Sequence, residues 1–357
     1  MNSISVMRFL YLIEVCAYHL VMVVSKNKQI LTISPSTNEF FKGLLIIQTY
    51  YKPAFMLSFI SGYLFFSNVN NENFKEKIRK KILKRFSSIL VPLLVWNSML
   101  FVIFNVIKSS IVTNTNLLII EQPYSLTISN FLWSFVNPPF GLWFFQNLMI
   151  FSLLSPLIYI IFRDKKITYI FLLCFVVFSV FDLFPSFIYK KFIFSFLLGA
   201  YISIKGIEFK NIELKCHYVI ALIILIISLL FFKNYFKNYV YVQIIILLDD
   251  IVLLTTNIVV FIVLKPLFLK ISNNDKINLI IQKFSEASFY IFILHILLLS
   301  TIVKIIFPKI ILLYPPSILF DIMLFSFTLI FVLSICFLLN KVSMRFKNIH
   351  AVLTGNR

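Results

Sequence analysis

Charged residues, cysteine and glycine are all scarce in this chain, and each scarcity excludes a class of protein. Only 13% of the 357 residues are charged, whereas a soluble globular domain has about 25%, so the chain is not a soluble domain. None of its four cysteines forms a CxxC pair, which favours free thiols over a disulfide framework or a metal site. Its six glycines form no GxGxxG or Walker loop, so the common nucleotide-binding fingerprints are missing.

Hydrophobic residues, by contrast, make up 60% of the chain. Apolar stretches close to the 20 residues that cross a bilayer recur from end to end. Hydropathy predicts about ten spans, near 4–24, 43–66, 86–107, 140–162, 167–184, 190–205, 217–232, 241–264, 284–303 and 317–340. The sequence therefore predicts an all-α, polytopic membrane helix bundle, with residues 1–340 as one membrane domain and 341–357 as a basic cytoplasmic tail.

The net charge of +19 is explained by topology and not by nucleic acid binding. If the N-terminus is cytoplasmic, 22 of the 33 lysines and arginines fall on the cytoplasmic side and 11 outside, as the positive-inside rule requires. We therefore predict cytoplasmic N- and C-termini, in the plasma membrane or the inner membrane of a bacterium. Membrane lipids with anionic headgroups are the expected partners of the basic loops. One of these loops, 67–85, has the pattern of a basic amphipathic surface helix.

The first predicted span carries three ionisable side chains, Arg8, Glu14 and His19. A charge at mid-bilayer costs about 2.5–3.5 kcal/mol, so such residues usually face the interior of a bundle. Eleven residues return a helix to within about 20° of its starting direction and advance it by about 16 Å. Arg8 and His19 therefore share one face, and Glu14 lies on another. Membrane anchoring would explain Arg8 alone, but the alignment favours a functional pair.

Five stretches, in order, resemble signatures of the membrane acyltransferase-3 family. They are Arg8 and His19 with ten residues between them, FMLSFISGYLF (55–65), KRFSSILVPLLVW (84–96), GLWFFQNLMIFSLLSP (141–156) and SFYIFILH (288–295). The resemblance implies a ten-span enzyme that O-acylates, usually O-acetylates, cell-surface carbohydrates. It further implies acetyl-CoA as the acyl donor, a carbohydrate acceptor and no metal. Two features depart from the family: Glu14 stands at a normally apolar position, and no esterase-like domain follows the tenth span.

The resemblance gives the two aligned residues of the first span catalytic roles. A neutral imidazole can remove a proton from a sugar hydroxyl near neutral pH, so His19 is the expected base. Arg8 is expected to bind the phosphates of coenzyme A or to steady the thioester oxygen. Lys84 and Arg85 either mark the cytoplasmic boundary or help bind the anionic donor.

Five further residues are candidates for the acceptor side or the cavity of the site. Lys52 either snorkels outward or presents its charge to an acceptor or an acyl intermediate. Ser61 lies in a small-residue packing face from which it could line a cavity. Trp143 either stacks on a sugar or belongs to an interfacial aromatic belt. His295 is either a core histidine or a site residue, and Glu14 could orient His19.

Two adjacent carboxylates in the eighth predicted span keep a second function open. Asp249 and Asp250 point about 100° apart on a helix, so they indicate either a proton or cation site or a break in the span. Together with Glu14 they would suit a transporter or exporter of a glycan or lipid-linked sugar. The ordered motifs favour the acyltransferase.

Overall fold

The computed structural model describes residues 3–25, 27, 39–45, 51–111, 127–138, 141–181, 183, 190–212, 215–236, 242–313 and 317–355. These residues form helices and connecting turns, and no strand occurs among them. The predicted all-α class is therefore confirmed.

The helices are numbered in chain order. They are α1 Ser3–Ser25, α2 Pro53–Phe66, α3 Phe74–Arg85, α4 Val91–Ile111, α5 Ile128–Val136, α6 Leu142–Leu153, α7 Ser155–Arg163, α8 Lys165–Val180, α9 Lys190–Ile204, α10 Cys216–Phe236, α11 Val242–Ser272, α12 Asp275–Ser285, α13 Ser288–Ile305, α14 Phe307–Leu313, α15 Ile318–Met344 and α16 Lys347–Thr354. A π-helical turn, Phe86–Leu90, joins α3 to α4. The predicted helix in the 67–85 loop is α3.

Six helical stretches among the described residues are long and apolar enough to cross a membrane. They are Ile4–Ser25, Phe74–Ile103, Cys216–Lys233, Ile244–Ser272, Ser288–Leu313 and Ile318–Met344. Large apolar side chains on these helices are widely exposed, for example Phe231 at 72% and Leu319 at 70%. Exposed apolar side chains of this kind are expected where helices face lipid. The chain is a multi-pass membrane protein, and the count of ten spans with cytoplasmic termini stays a prediction.

The predicted span 140–162 is not one straight helix. The chain bends by 59° between α6 and α7, and the bent pair would count as a seventh span. Pro156 lies in the first turn of α7, where its missing N–H costs nothing. Inside a continuous helix the same proline would remove an intrahelical hydrogen bond.

The described chain divides into two compact units, and each is treated by itself. Unit 1 comprises Met1–Tyr11, Thr49–Lys84 and Asn147–Leu279, and unit 2 comprises Leu12–Gln48, Arg85–Gln146 and Ile280–Arg357. The boundary runs through α1, which is itself continuous.

In unit 1, helices α2 and α9 approach so closely that only glycine fits at two positions. A Cβ atom on Gly62 would lie 2.1 Å from the carbonyl oxygen of Phe196, and one on Gly199 would lie 2.0 Å from that of Phe59. The Ser58 hydroxyl donates to the Phe192 carbonyl at 2.9 Å across the same interface. Small residues allow such contact between membrane helices, so the predicted packing role of this face is confirmed.

We expect Gly62→Ala to destabilise the protein, because the new methyl group can be accommodated only if the two backbones separate. Overpacking of this kind typically costs about 1–3 kcal/mol, which thermal unfolding in detergent would report as a lower melting temperature. Gly43→Ala is the matched control, since nothing lies within 4 Å of the added Cβ. Equal melting temperatures for the two variants would contradict the close approach.

The two adjacent aspartates also belong to unit 1, and α11 runs through both without a break. Asp249 forms an ion pair with Lys233 of α10. Asp250 accepts a hydrogen bond from the Ser179 hydroxyl at 3.4 Å and lines an apolar cavity of about 120 Å³. The suggestion of a broken span was therefore wrong. The two carboxylates contact different neighbours, as expected for adjacent residues that point about 100° apart on a helix.

In unit 2, the C-terminal helix α16 packs against the start of α4. The Trp96 indole Nε1–H donates to the Leu353 carbonyl at 3.0 Å. Gly355 adopts φ +70°, and a Cβ there would lie 2.5 Å from the Cα of Ser88. The residues after 340, predicted as a tail, thus continue α15 to Met344 and then form a docked helix.

The four cysteines are free. Cys16 and Cys336 are buried as expected for thiols in spans, but Cys174 and Cys216 are exposed. Exposure of apolar residues is general on these helices, and a thiol behaves there as a small hydrophobe.

Candidate active site

Two histidines that are far apart in the sequence come together in unit 2. His19 lies on α1 and His295 on α13, and the centres of their rings are 5.1 Å apart with the ring planes tilted by 52°. His295 was one of several candidates for the cavity, and it is the one whose packing against the expected base is observed. The structure therefore places a pair of imidazoles at the predicted catalytic position.

The hydrogen bonding of His295 fixes which of its nitrogens carries the proton. Its Nδ1 lies 2.8 Å from the carbonyl oxygen of Ile291, and because a carbonyl only accepts, Nδ1 is the donor. In the neutral ring, Nε2 then has the lone pair. Only 1% of His295 is exposed, yet Nε2 has no hydrogen-bond partner within the described ranges. An unsatisfied buried polar group costs about 1–3 kcal/mol.

His19 presents a second unsatisfied nitrogen. Its side chain as a whole is half-buried, but the Nδ1 atom is buried and has no partner in the part of the chain that the structure describes. Tyr18 packs edge-on against the imidazole, with ring centres 5.2 Å apart. Within the described part of the chain, two adjacent histidines thus each keep one buried nitrogen unpaired, which is unusual in a packed interior and typical of a site.

A layer of phenylalanine rings supports His295 from one side. Phe292 lies one turn before it with ring centres 6.1 Å apart, and Phe144 and Phe145 pack on Phe292 at 4.7 and 4.8 Å. Gly141 makes this possible, because a Cβ there would lie 3.1 Å from the Phe292 ring and 3.2 Å from its carbonyl oxygen. The surroundings of the histidine pair are apolar on this side, which strengthens electrostatic interactions within it.

Three other candidates belong to unit 2. Trp143 is half-buried and packs against Phe144, with ring centres 6.2 Å apart, so it belongs to the same aromatic layer. Glu14 is half-buried on α1, five residues before His19. Arg85 is half-buried at the start of the π-helical turn.

The remaining candidates lie in unit 1. Arg8 has an exposed side chain on α1. Because that helix is continuous, the step of eleven residues from Arg8 to His19 corresponds to about three helical turns, as predicted. The backbone N–H of Lys52, just before α2, donates to the Asn257 side-chain oxygen at 3.4 Å. The Ser61 hydroxyl donates to the Leu57 carbonyl of its own helix at 2.7 Å, and Lys84 is exposed near the end of α3.

One buried polar pair was missed by sequence reasoning. Asn97, which is fully buried on α4, donates to the Ser134 hydroxyl at 2.8 Å. Its side-chain oxygen has no partner among the residues described. A lone amide inside an apolar run was the available signal, and it was overlooked because asparagine alone matches no catalytic motif.

The pair can perform proton transfer chemistry. A neutral imidazole accepts a proton at the nitrogen that carries its lone pair. A hydroxyl next to such a base becomes a nucleophile.

Comparison with known proteins gives one match. A family model described as an acyltransferase domain matches residues 1–341 of the chain. No curated protein and no solved structure matches.

Proposed function

Since this chain belongs to the acyltransferase-3 family and is a multi-pass membrane acyltransferase, we propose that it acylates a surface carbohydrate. The acyl group, acetyl, comes from acyl-CoA and passes to a hydroxyl of a cell-surface polysaccharide or its lipid-linked precursor. The protein then works in the plasma membrane, or the inner membrane of a bacterium, with ten spans and both termini cytoplasmic.

The observation that carries this proposal is the histidine pair. His19 removes the proton of the acceptor hydroxyl as its oxygen attacks the thioester carbonyl carbon, forming a tetrahedral intermediate. The C–S bond then breaks, and the coenzyme A thiolate takes the proton back from His19. The products are an O-acyl sugar and free coenzyme A, and the base is regenerated without any metal ion.

Basic residues supply the donor side of the site. Arg8 lies about three helical turns before His19 on α1, and in the predicted topology it lies at the cytoplasmic end of that helix. It binds the phosphates of acyl-CoA or steadies the thioester oxygen. Lys84 and Arg85 add positive charge for the same anionic donor.

Aromatic and polar residues supply the acceptor side. Trp143, half-buried in the aromatic layer beside Phe144, offers a face for a sugar ring, and His295 lies beside the base. Ser61 and Lys52 stay candidates for the cavity and the acceptor side, as proposed from their positions in the sequence. Glu14 has no assigned step.

The function is tested by comparing the surface glycan of a deletion strain with that of its parent. Mass spectrometry is expected to show the loss of acetyl substituents in the deletion strain and their return when the gene is restored. The purified protein in vesicles is expected to transfer radiolabel from acetyl-CoA to that glycan. An unchanged glycan, together with no transfer in vesicles, would contradict the proposal.

A transporter of glycans or lipid-linked sugars is the competing function. The family match favours acyl transfer, and the pairing of Asp249 with Lys233 gives that carboxylate a structural role. Flux of a glycan through vesicles without release of coenzyme A would instead support the transporter.

A further inference from the structure

We infer that His295 is a positioning residue that fixes the tautomer of His19. In this arrangement the Nδ1–H of His19 donates to Nε2 of His295, so that Nε2 of His19 is left free to act as the base. The inference rests on the proposed acyl transfer and gives it a second required residue.

The first argument is that the two unpaired nitrogens are complementary. His295 is held by the Ile291 carbonyl with its proton on Nδ1, so Nε2 can only accept while the ring is neutral. His19 has its unpaired buried nitrogen at Nδ1, which in one tautomer is a donor. A donor on one ring and an acceptor on the adjacent ring satisfy each other.

The second argument is distance. In an imidazole each nitrogen lies roughly 1.2 Å from the ring centre, and an N–H···N bond is about 2.9 Å long, so the centres of two bonded rings are about 5.3 Å apart at most. The observed separation of the ring centres is 5.1 Å. The two rings are therefore close enough for this bond, and rotation about the soft χ2 torsion is the movement that would align the two nitrogens. Catalytic hydrogen bonds commonly tighten only when substrate is bound.

The third argument is that His295 is held firmly while His19 is less enclosed. His295 has 1% exposure, a fixed Nδ1 bond and Phe292 packed against it. His19 is half-buried, as a group that must meet a substrate needs to be. A firmly held acceptor beside a less enclosed base is the arrangement by which a third group orients a catalytic histidine.

The proton balance of the reaction follows directly. When His19 takes the hydroxyl proton on Nε2 it becomes an imidazolium, and its Nδ1–H bond to His295 becomes charge-assisted and stronger. His295 stays neutral throughout, because its own proton remains on Nδ1. The proton on Nε2 of His19 leaves with the coenzyme A thiolate.

Two substitutions of His295 separate positioning from packing. His295→Phe keeps a ring of similar size without an acceptor, and His295→Gln keeps an acceptor oxygen near the position of Nε2. We expect the phenylalanine variant to lower kcat by about 10- to 100-fold with KM for acetyl-CoA changed less than about twofold, and the glutamine variant to recover most of the rate. Equal losses in both variants, or a wild-type rate in the phenylalanine variant, would overturn the inference.

A spectroscopic measurement tests the same point without activity. The chain has only four histidines, so ¹⁵N-histidine NMR of the protein in nanodiscs can resolve each ring. We expect His19 to be protonated at Nδ1 in the wild type and to become a mixture of tautomers in His295→Phe. A wild-type His19 protonated at Nε2 would refute the positioning role. Absence of transfer by the wild type would instead count against the proposed function alone.

Discussion

Replacing His19 by alanine is expected to lower acyl transfer by at least about 10²-fold and by as much as about 10⁴-fold, the range for loss of a general base. The acceptor hydroxyl would have to attack the thioester with its proton still bound. The methyl side chain on α1 leaves the helix intact, since alanine is the best helix former. Release of free thiol from acetyl-CoA in the presence of acceptor measures the rate directly.

A second histidine substitution serves as the control for this experiment. His217 is exposed on α10 and takes no part in the site, so His217→Ala is expected to keep the wild-type rate. Expression level and melting temperature should match across both variants and the wild type. Acyl transfer at the wild-type rate by His19→Ala would exclude His19 as the base.

The local part of this site could be predicted from the sequence because it depends on a single helix. The spacing of Arg8 and His19 needs only the 100° step of an α-helix, and α1 is a helix without interruption from Ser3 to Ser25. The all-helical class followed in the same way from the apolar stretches. Features set within one helix are determined by neighbouring residues, and hydropathy detects them.

The partner of His19 could not be predicted because it is 276 positions further along the chain. The sequence places His295 at the end of SFYIFILH in the ninth predicted span, but only tertiary packing decides which helix this residue faces. The same limit applies to Gly141, because no local signal in the sequence predicts its contact with Phe292. Glycine there looks like an ordinary small residue until its neighbour is known.

The bend inside the fourth predicted span was missed for a different physical reason. Hydropathy averages over a window of about 19 residues, so it does not register the 59° bend between α6 and α7. It also judges Asp249 and Asp250 by their cost in lipid, although Lys233 provides a charge partner for the first of them. A hydropathy average contains no information about the direction of the backbone or about side chains on neighbouring helices.

Replacing Arg8 by glutamine is expected to weaken the use of acetyl-CoA by about 10- to 100-fold in kcat/KM, since hydrogen bonds to charged groups contribute about 1.5–3 kcal/mol. The guanidinium is exposed on α1 and can form a bidentate contact with a phosphate. If it binds phosphate, the loss appears in KM. The acetyl thioester of N-acetylcysteamine, which has the same reacting group but no phosphates, should then be used equally well by the variant and the wild type.

The short thioester decides between the two roles assigned to Arg8. If the guanidinium steadies the thioester oxygen, the variant loses kcat with both donors by a similar factor, because the reacting carbonyl is common to them. Arg345→Gln removes one charge from an exposed arginine after α15, and it controls for long-range attraction of the anionic donor. Arg8→Lys adds a further distinction, since lysine keeps the charge but not the bidentate geometry. Unchanged kinetics with both donors in Arg8→Gln would remove Arg8 from the site and leave the histidine pair as its catalytic core.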